Sequence, residues 1–116
     1  MRNIEQNQSL RLWFEALASS VRGEEPDLSA RQMVILLTVY LNKGPHTVRG
    51  LSENLIISKP AVTRALDQLA DFGYITRQKD LSDRRSVLIK RTEAGDLFLD
   101  HFADKIRSAK RKLDLG

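Results

Sequence analysis

The sequence predicts a mainly α fold with one small β-hairpin, an α+β chain. Three observations predict it. Apolar residues recur at helical spacing near both ends of the chain. In the centre, two short helical stretches, opened by Thr47 and Ser58, are separated by a turn of about two or three residues. After them, two strand-like runs flank the polar loop Asp80 to Arg85, which carries Asp83-Arg84-Arg85. Helix, tight turn, helix and hairpin, in that order, make a winged helix-turn-helix.

Each element has its own signals. The first helix is expected over Ile4 to Arg22, where Leu10, Trp13, Phe14, Leu17 and Val21 share one stripe and Gly23 and Pro26 supply the stop. Ser29 and Gln32, three apart, form a capping box for the second helix, with Leu28 and Met33 as the flanking apolar staple. Met33, Leu36, Leu37, Tyr40 and Leu41 make its main stripe, Val34, Ile35 and Val39 add apolar surface elsewhere, and Gly44-Pro45 ends it. Thr47 caps a short helix to about Leu55. Ser58 caps the next, Lys59 to about Phe72, with Gly73 at its end and Val62, Leu66 and Leu69 on its buried side. The first strand ends near Lys79, and Ser86 to Lys90 form the second. Thr92 caps the last helix, to about Leu113, with Glu93 and Asp96 favourably placed in its first turn and Phe98, Phe102, Ile106, Ala109 and Leu113 along one stripe.

The length of 116 residues indicates a single domain, 1–116. Residues 28–91 form its winged part, and 4–22 and 92–113 are helices that a winged helix does not need to enclose its own core. These helices either complete the monomer core or pair with a second copy. The second reading makes Leu10, Trp13, Phe14, Leu17, Phe98, Phe102 and Ile106 dimerisation residues.

Charge is concentrated on the winged part. From Arg49 to Arg91 there are nine Lys/Arg against five Asp/Glu, whereas residues 1–48 and 92–116 each carry five of either sign, so the whole net charge of +4 sits there. That is where a phosphate-binding surface would need it. In the helix that follows Ser58, the polar side shows Lys59, Pro60, Thr63, Arg64 and Asp67. Recognition helices present their N-terminal residues to base edges, so Ser58, Lys59, Pro60, Thr63 and Arg64 are the candidates. Arg64 suits bidentate contact with guanine, Thr63 and Pro60 suit thymine methyl groups, and Lys59 or Ser58 suits phosphate. A solvated polar face is the plainer alternative. Hairpin tips also carry charge for solubility, but Arg84 and Arg85 lie where a wing meets the backbone or the narrow minor groove, with Lys79 at its base. Asp83 is expected to orient an arginine or cap the turn, since phosphate repels a carboxylate.

Other classes lack their signals. No apolar run approaches the ~18–20 residues of a membrane span, and Met1 to Ser9 has no signal-peptide core, so no membrane association and a cytoplasmic location are expected. The absence of cysteine excludes disulfides and thiolate metal sites. His46 and His101 are far apart in sequence. No Gly-rich phosphate loop, His-Glu-x-x-His pattern or nucleophile setting is present, so no catalytic residue, metal or cofactor is expected.

The segments Leu51-Ser52-Glu53-Asn54-Leu55, Ser58-Lys59-Pro60-Ala61-Val62-Thr63-Arg64, Leu69 to Ile75, and Asp83-Arg84-Arg85 followed by Thr92-Glu93-Ala94-Gly95 resemble those of the MarR family of bacterial transcription regulators. The likeness covers about Leu28 to Phe102. It implies a homodimer built by the terminal helices, acting on double-stranded DNA at a pseudo-palindromic operator. Recognition helices would lie in successive major grooves and the wings in the flanking minor grooves, with Arg85 inserted. It also implies a repressor released by a small-molecule effector, often phenolic or anionic, bound between the dimer helices and the winged part. The route through a reactive cysteine is closed to this chain. Pro60 stands where relatives often carry a small hydroxyl residue, and Arg91 replaces the usual leucine before Thr92. The chain is short for the family, so its dimer helices are expected to be minimal. The competing class is a winged domain that regulates a protein partner without reading DNA.

Overall fold

A computed structural model describes residues 1–113. The element order is α1 (Ile4–Arg22), α2 (Ala30–Leu41), α3 (Val48–Leu55), α4 (Lys59–Asp71), β1 (Ile75–Lys79), β2 (Val87–Arg91) and α5 (Glu93–Lys112). The chain divides into two compact units: Leu28–Asp96, and Met1–Asp27 together with the chain from Leu97 onward.

The winged unit is built on α4. Ala61, Val62, Ala65, Leu66 and Leu69 lie on one side of this helix and are buried, and the helix packs against α2, α3 and β1. Spacings of three and four residues put these small and branched side chains on one face, while Thr63, Arg64 and Asp67 are left outside. The buried face of α2 is Ile35, Leu36, Val39 and Tyr40. This corrects the expected stripe: Ile35 and Val39 are fully enclosed, whereas Leu41 is 75% exposed. An all-apolar helix gives periodicity too little contrast to fix its rotation, and the packing of α2 against α4 and β2 fixes it instead.

Several caps follow the sequence. The side chains of Ser29 and Gln32 form the reciprocal capping box, Thr47 Oγ1 accepts from the Gly50 N–H, and Ser58 Oγ accepts from the Ala61 N–H. Pro60 occupies the first turn of α4, where a missing N–H costs nothing. Asn3 and Gln6 form a further capping box at the start of α1.

The hairpin is antiparallel, with Ile75 opposite Arg91 and Lys79 opposite Val87. The second strand therefore starts one residue later than expected. Ser86 belongs to the turn, donating its N–H to the Asp83 carbonyl oxygen at 3.0 Å. On its other side β2 is stitched to the start of α3: the Ile89 N–H donates to the His46 carbonyl oxygen at 2.9 Å.

In the other unit, α1 buries only Ala16 and Ser20. Lys112 pairs with Glu15 at 2.9 Å, and His101 reaches Glu25 at 3.1 Å. Trp13, Phe14 and Leu17 are 66%, 54% and 47% exposed, and Leu10 and Val21 are exposed as well. Phe98 differs from the other expected dimerisation residues. It is 2% exposed and leaves no surface for a second copy, while Phe102 is half-buried and Ile106 is 39% exposed.

Candidate nucleic-acid interface

The site starts at the turn between α3 and α4. Helix α3 ends at Ile56, which adopts the left-handed conformation (φ 54°, ψ 51°), and the Ile57 N–H returns to the Ser52 carbonyl oxygen at 3.2 Å. The Ser52 hydroxyl donates to the Ile57 carbonyl oxygen at 2.5 Å. These bonds fix the path into Ser58, and hence the angle at which α4 leaves the turn.

Ser58, Lys59, Pro60, Thr63 and Arg64 are all exposed, so the structure brings the five together on the outer N-terminal half of α4. Neither Lys59 nor Arg64 forms an ion pair among the described residues. The positive end of the helix dipole adds to their field. Farther along, Asp67 accepts from Arg77 Nη1 at 2.6 Å, tying the outer face of α4 to the first strand of the wing. That pair was not foreseen, because the two residues lie ten positions apart on different elements.

The wing tip is ordered by two aspartates. Asp80 accepts from the Ser82 N–H at 2.9 Å and from the Ser82 hydroxyl at 2.7 Å. These bonds, the side-chain one foremost, hold the Asp80 carboxyl below its usual value. Asp83 accepts from the Arg85 N–H at 3.1 Å, and its Oδ1 lies 3.6 Å from Arg85 Nε. Asp83 thus both caps the turn and steers an arginine, as expected of a carboxylate here. The Arg85 side chain remains 95% exposed. Lys79, Arg84 and Lys90 are exposed and lack an ion pair among the described residues.

Arg91 is not part of this charged surface. Its Nε donates to the Val39 carbonyl oxygen at 3.0 Å and its Nη2 to that of Asn42 at 3.3 Å, with the guanidinium 5.7 Å from the Tyr40 ring centroid. It caps the C-terminus of α2, where carbonyls lack helical partners. His46 Nε2 shares that task, donating to the Asn42 carbonyl oxygen at 2.9 Å, which fixes the proton on Nε2. Among the described residues, no group of three or more acidic, His or Cys side chains could hold a metal ion. Nor is any helix among them long and apolar enough to cross a membrane.

Two short helices at a tight turn, an exposed polar first half of the second, and a charged hairpin beside it define a winged helix-turn-helix protein. The sequence profile described as "MarR family" matches residues 28–87. The chain is also 33% identical over 96 residues, 83% of its length and 68% of the relative's, to YpoP of Bacillus subtilis, an uncharacterized HTH-type transcriptional regulator. The chain belongs to the MarR family of transcriptional regulators. The transcriptional regulator Tm0710 of Thermotoga maritima has the same fold, with a TM-score of 0.75 at 25% identity, covering 97% of this chain and 78% of that one. A mutant of S. aureus MepR bound to an oligodeoxyribonucleotide gives a TM-score of 0.81 at 19% identity, covering 95% of this chain and 78% of that one.

Proposed function

We propose that this protein is a repressor that binds a pseudo-palindromic DNA operator as a homodimer. The observation that carries the reading is the outer half of α4. Ser58, Lys59, Pro60, Thr63 and Arg64 are exposed together there, and neither cation is spent on an ion pair among the described residues. In this reading Arg64 and Thr63 address base edges. Lys59, Lys79 and Arg84 hold phosphates, and Arg85 enters the minor groove. The similarity in fold to a DNA-bound MepR supports this orientation of parts.

Dimerisation is supported by α1. Leu10, Trp13, Phe14, Leu17 and Val21 form a continuous helical stripe that one chain leaves open to water. Beside it, Leu12, Trp13, Ala16, Leu17, Phe102 and Ile106 line a cleft of about 260 Å³. A contiguous apolar surface of this kind marks an interface. Two copies would set two recognition helices about one turn of duplex apart, the source of a palindromic preference. A small-molecule effector acts in this reading by favouring a dimer whose helices no longer match that spacing. The site of action is the cytoplasm, where the chromosome lies.

Selection of bound duplexes from a randomised pool, followed by anisotropy titration at several salt concentrations, tests the proposal. The expected motif has two half-sites about 10 base pairs apart, with a log–log salt slope on the order of −7 for a dimer. Recovery of no motif, with a slope shallower than about −2, would instead favour a protein-binding winged module.

A further inference from the structure

Ile56 is the one described non-glycine residue with a positive φ. Its N–H and that of Ile57 both return to the Ser52 carbonyl oxygen, so it stands where a helix end favours glycine. A β-branched side chain in this conformation is a steric outlier, because its Cβ crowds the following carbonyl. Burial does not compensate, since Ile56 is 92% exposed and its apolar side chain lies in water. Glycine would relieve the strain and remove the exposed apolar surface at once. Folding therefore gives no reason for isoleucine here.

The position suggests what does. Ile56 precedes Ser58, the cap of α4, by two residues, and the turn between them is locked by the Ser52 hydroxyl. A side chain rooted there flanks the end of the helix that carries Lys59, Pro60, Thr63 and Arg64. The apolar group that a major groove offers beside its backbone wall is the C5-methyl of thymine. We propose that Ile56 is a specificity-determining residue, packing against a thymine methyl group at the edge of each half-site. Its unfavourable backbone geometry is retained for that contact. This inference rests on the operator-binding reading above.

The test is a cycle on the selected operator. The natural chain and Ile56→Gly are each titrated against duplexes in which single thymines are replaced by deoxyuridine, and thermal unfolding of both proteins is followed. Ile56→Gly is expected to melt at a higher temperature yet bind the operator more weakly, by about fourfold per half-site for one methyl-sized contact. At one position per half-site, deoxyuridine should weaken the natural chain by a similar factor and leave Ile56→Gly unchanged. Equal binding by the two proteins would overturn the assignment. So would a loss in Ile56→Gly with the same deoxyuridine profile as the natural chain, because that pattern reports an altered turn and no contact. A natural chain that retains no duplex at all would instead remove the operator-binding reading beneath the assignment.

Discussion

Gly95 and Tyr40 meet so closely that a β-carbon on the glycine would overlap the tyrosine hydroxyl. That hydroxyl donates to the Tyr74 carbonyl oxygen at 2.6 Å and accepts from the Thr92 N–H at 2.9 Å. The Thr92 hydroxyl in turn donates to the Gly73 carbonyl oxygen at 2.7 Å and accepts from the Gly95 N–H at 3.0 Å. The end of α2, the turn before β1 and the start of α5 are thereby fastened at one point in the winged unit.

Gly95→Ala should therefore destabilise the fold by about 1–3 kcal/mol, since the Tyr74 backbone also lies in the path of the new methyl and cannot swing aside. Tyr40→Phe should cost a comparable amount, about 1–3 kcal/mol, by removing the buried hydroxyl that donates to the Tyr74 carbonyl oxygen and accepts from the Thr92 N–H. Urea unfolding of the two variants measures both. An alanine at 95 that leaves the midpoint unchanged would mean that the three elements are not fastened there.

The wing tip should respond to acid through Asp80. Hydrogen bonds from Ser82 favour its carboxylate and lower its pKa. A depressed folded value means that the order it confers is fully present above the usual carboxylate range. That order is lost as pH falls through the lowered value. Carboxyl NMR titration should find Asp80 below an ordinary aspartate, and Ser82→Ala should move it upward. If Ser82→Ala leaves the titration where it was, the turn is held by something else.

The α1 stripe predicts assembly. Trp13→Lys combined with Phe14→Glu alters two side chains that are 66% and 54% exposed in the single chain. The chain should therefore keep its circular dichroism while losing its dimer in sedimentation and most of its DNA affinity. A double variant that still sediments as a dimer would place the interface elsewhere.

The caps and the wing were legible in the sequence because they depend on neighbours. Ser29 with Gln32, Thr47, Ser58 and the Asp83–Arg85 turn are local chemistry, and each was readable from residues three or fewer apart. The rotation of α2 was not legible, since an apolar residue occupies nearly every position and only the packing partners choose a face. Arg91 was legible as an unusual charge but not as a helix cap, because Val39 and Asn42 lie about fifty positions earlier. The exposed half of α4 was readable from spacing alone. Its coupling to the wing through Asp67 and Arg77 needed coordinates. Ile56 left no signal: a sequence shows an isoleucine before a capped helix, not its φ.

The last prediction separates recognition helix from wing. Arg64 projects from the outer face of α4 and is placed to read a base edge, where a bidentate contact is worth about 1–3 kcal/mol. Arg64→Ala should relax the preference at one position of each half-site. Arg85 lies at the wing tip with its side chain 95% exposed and its backbone pinned by Asp83. An arginine there senses groove width and potential more than base identity. Arg85→Ala should therefore weaken all duplexes, most of all those with A·T-rich flanks, and leave the selected central motif intact. Both variants should unfold at the natural midpoint, because both side chains lie outside the core. Repeating the selection on each variant decides between the roles. If Arg85→Ala binds normally while Arg64→Ala abolishes binding without changing the motif, Arg64 holds phosphate and the wing is not a reader.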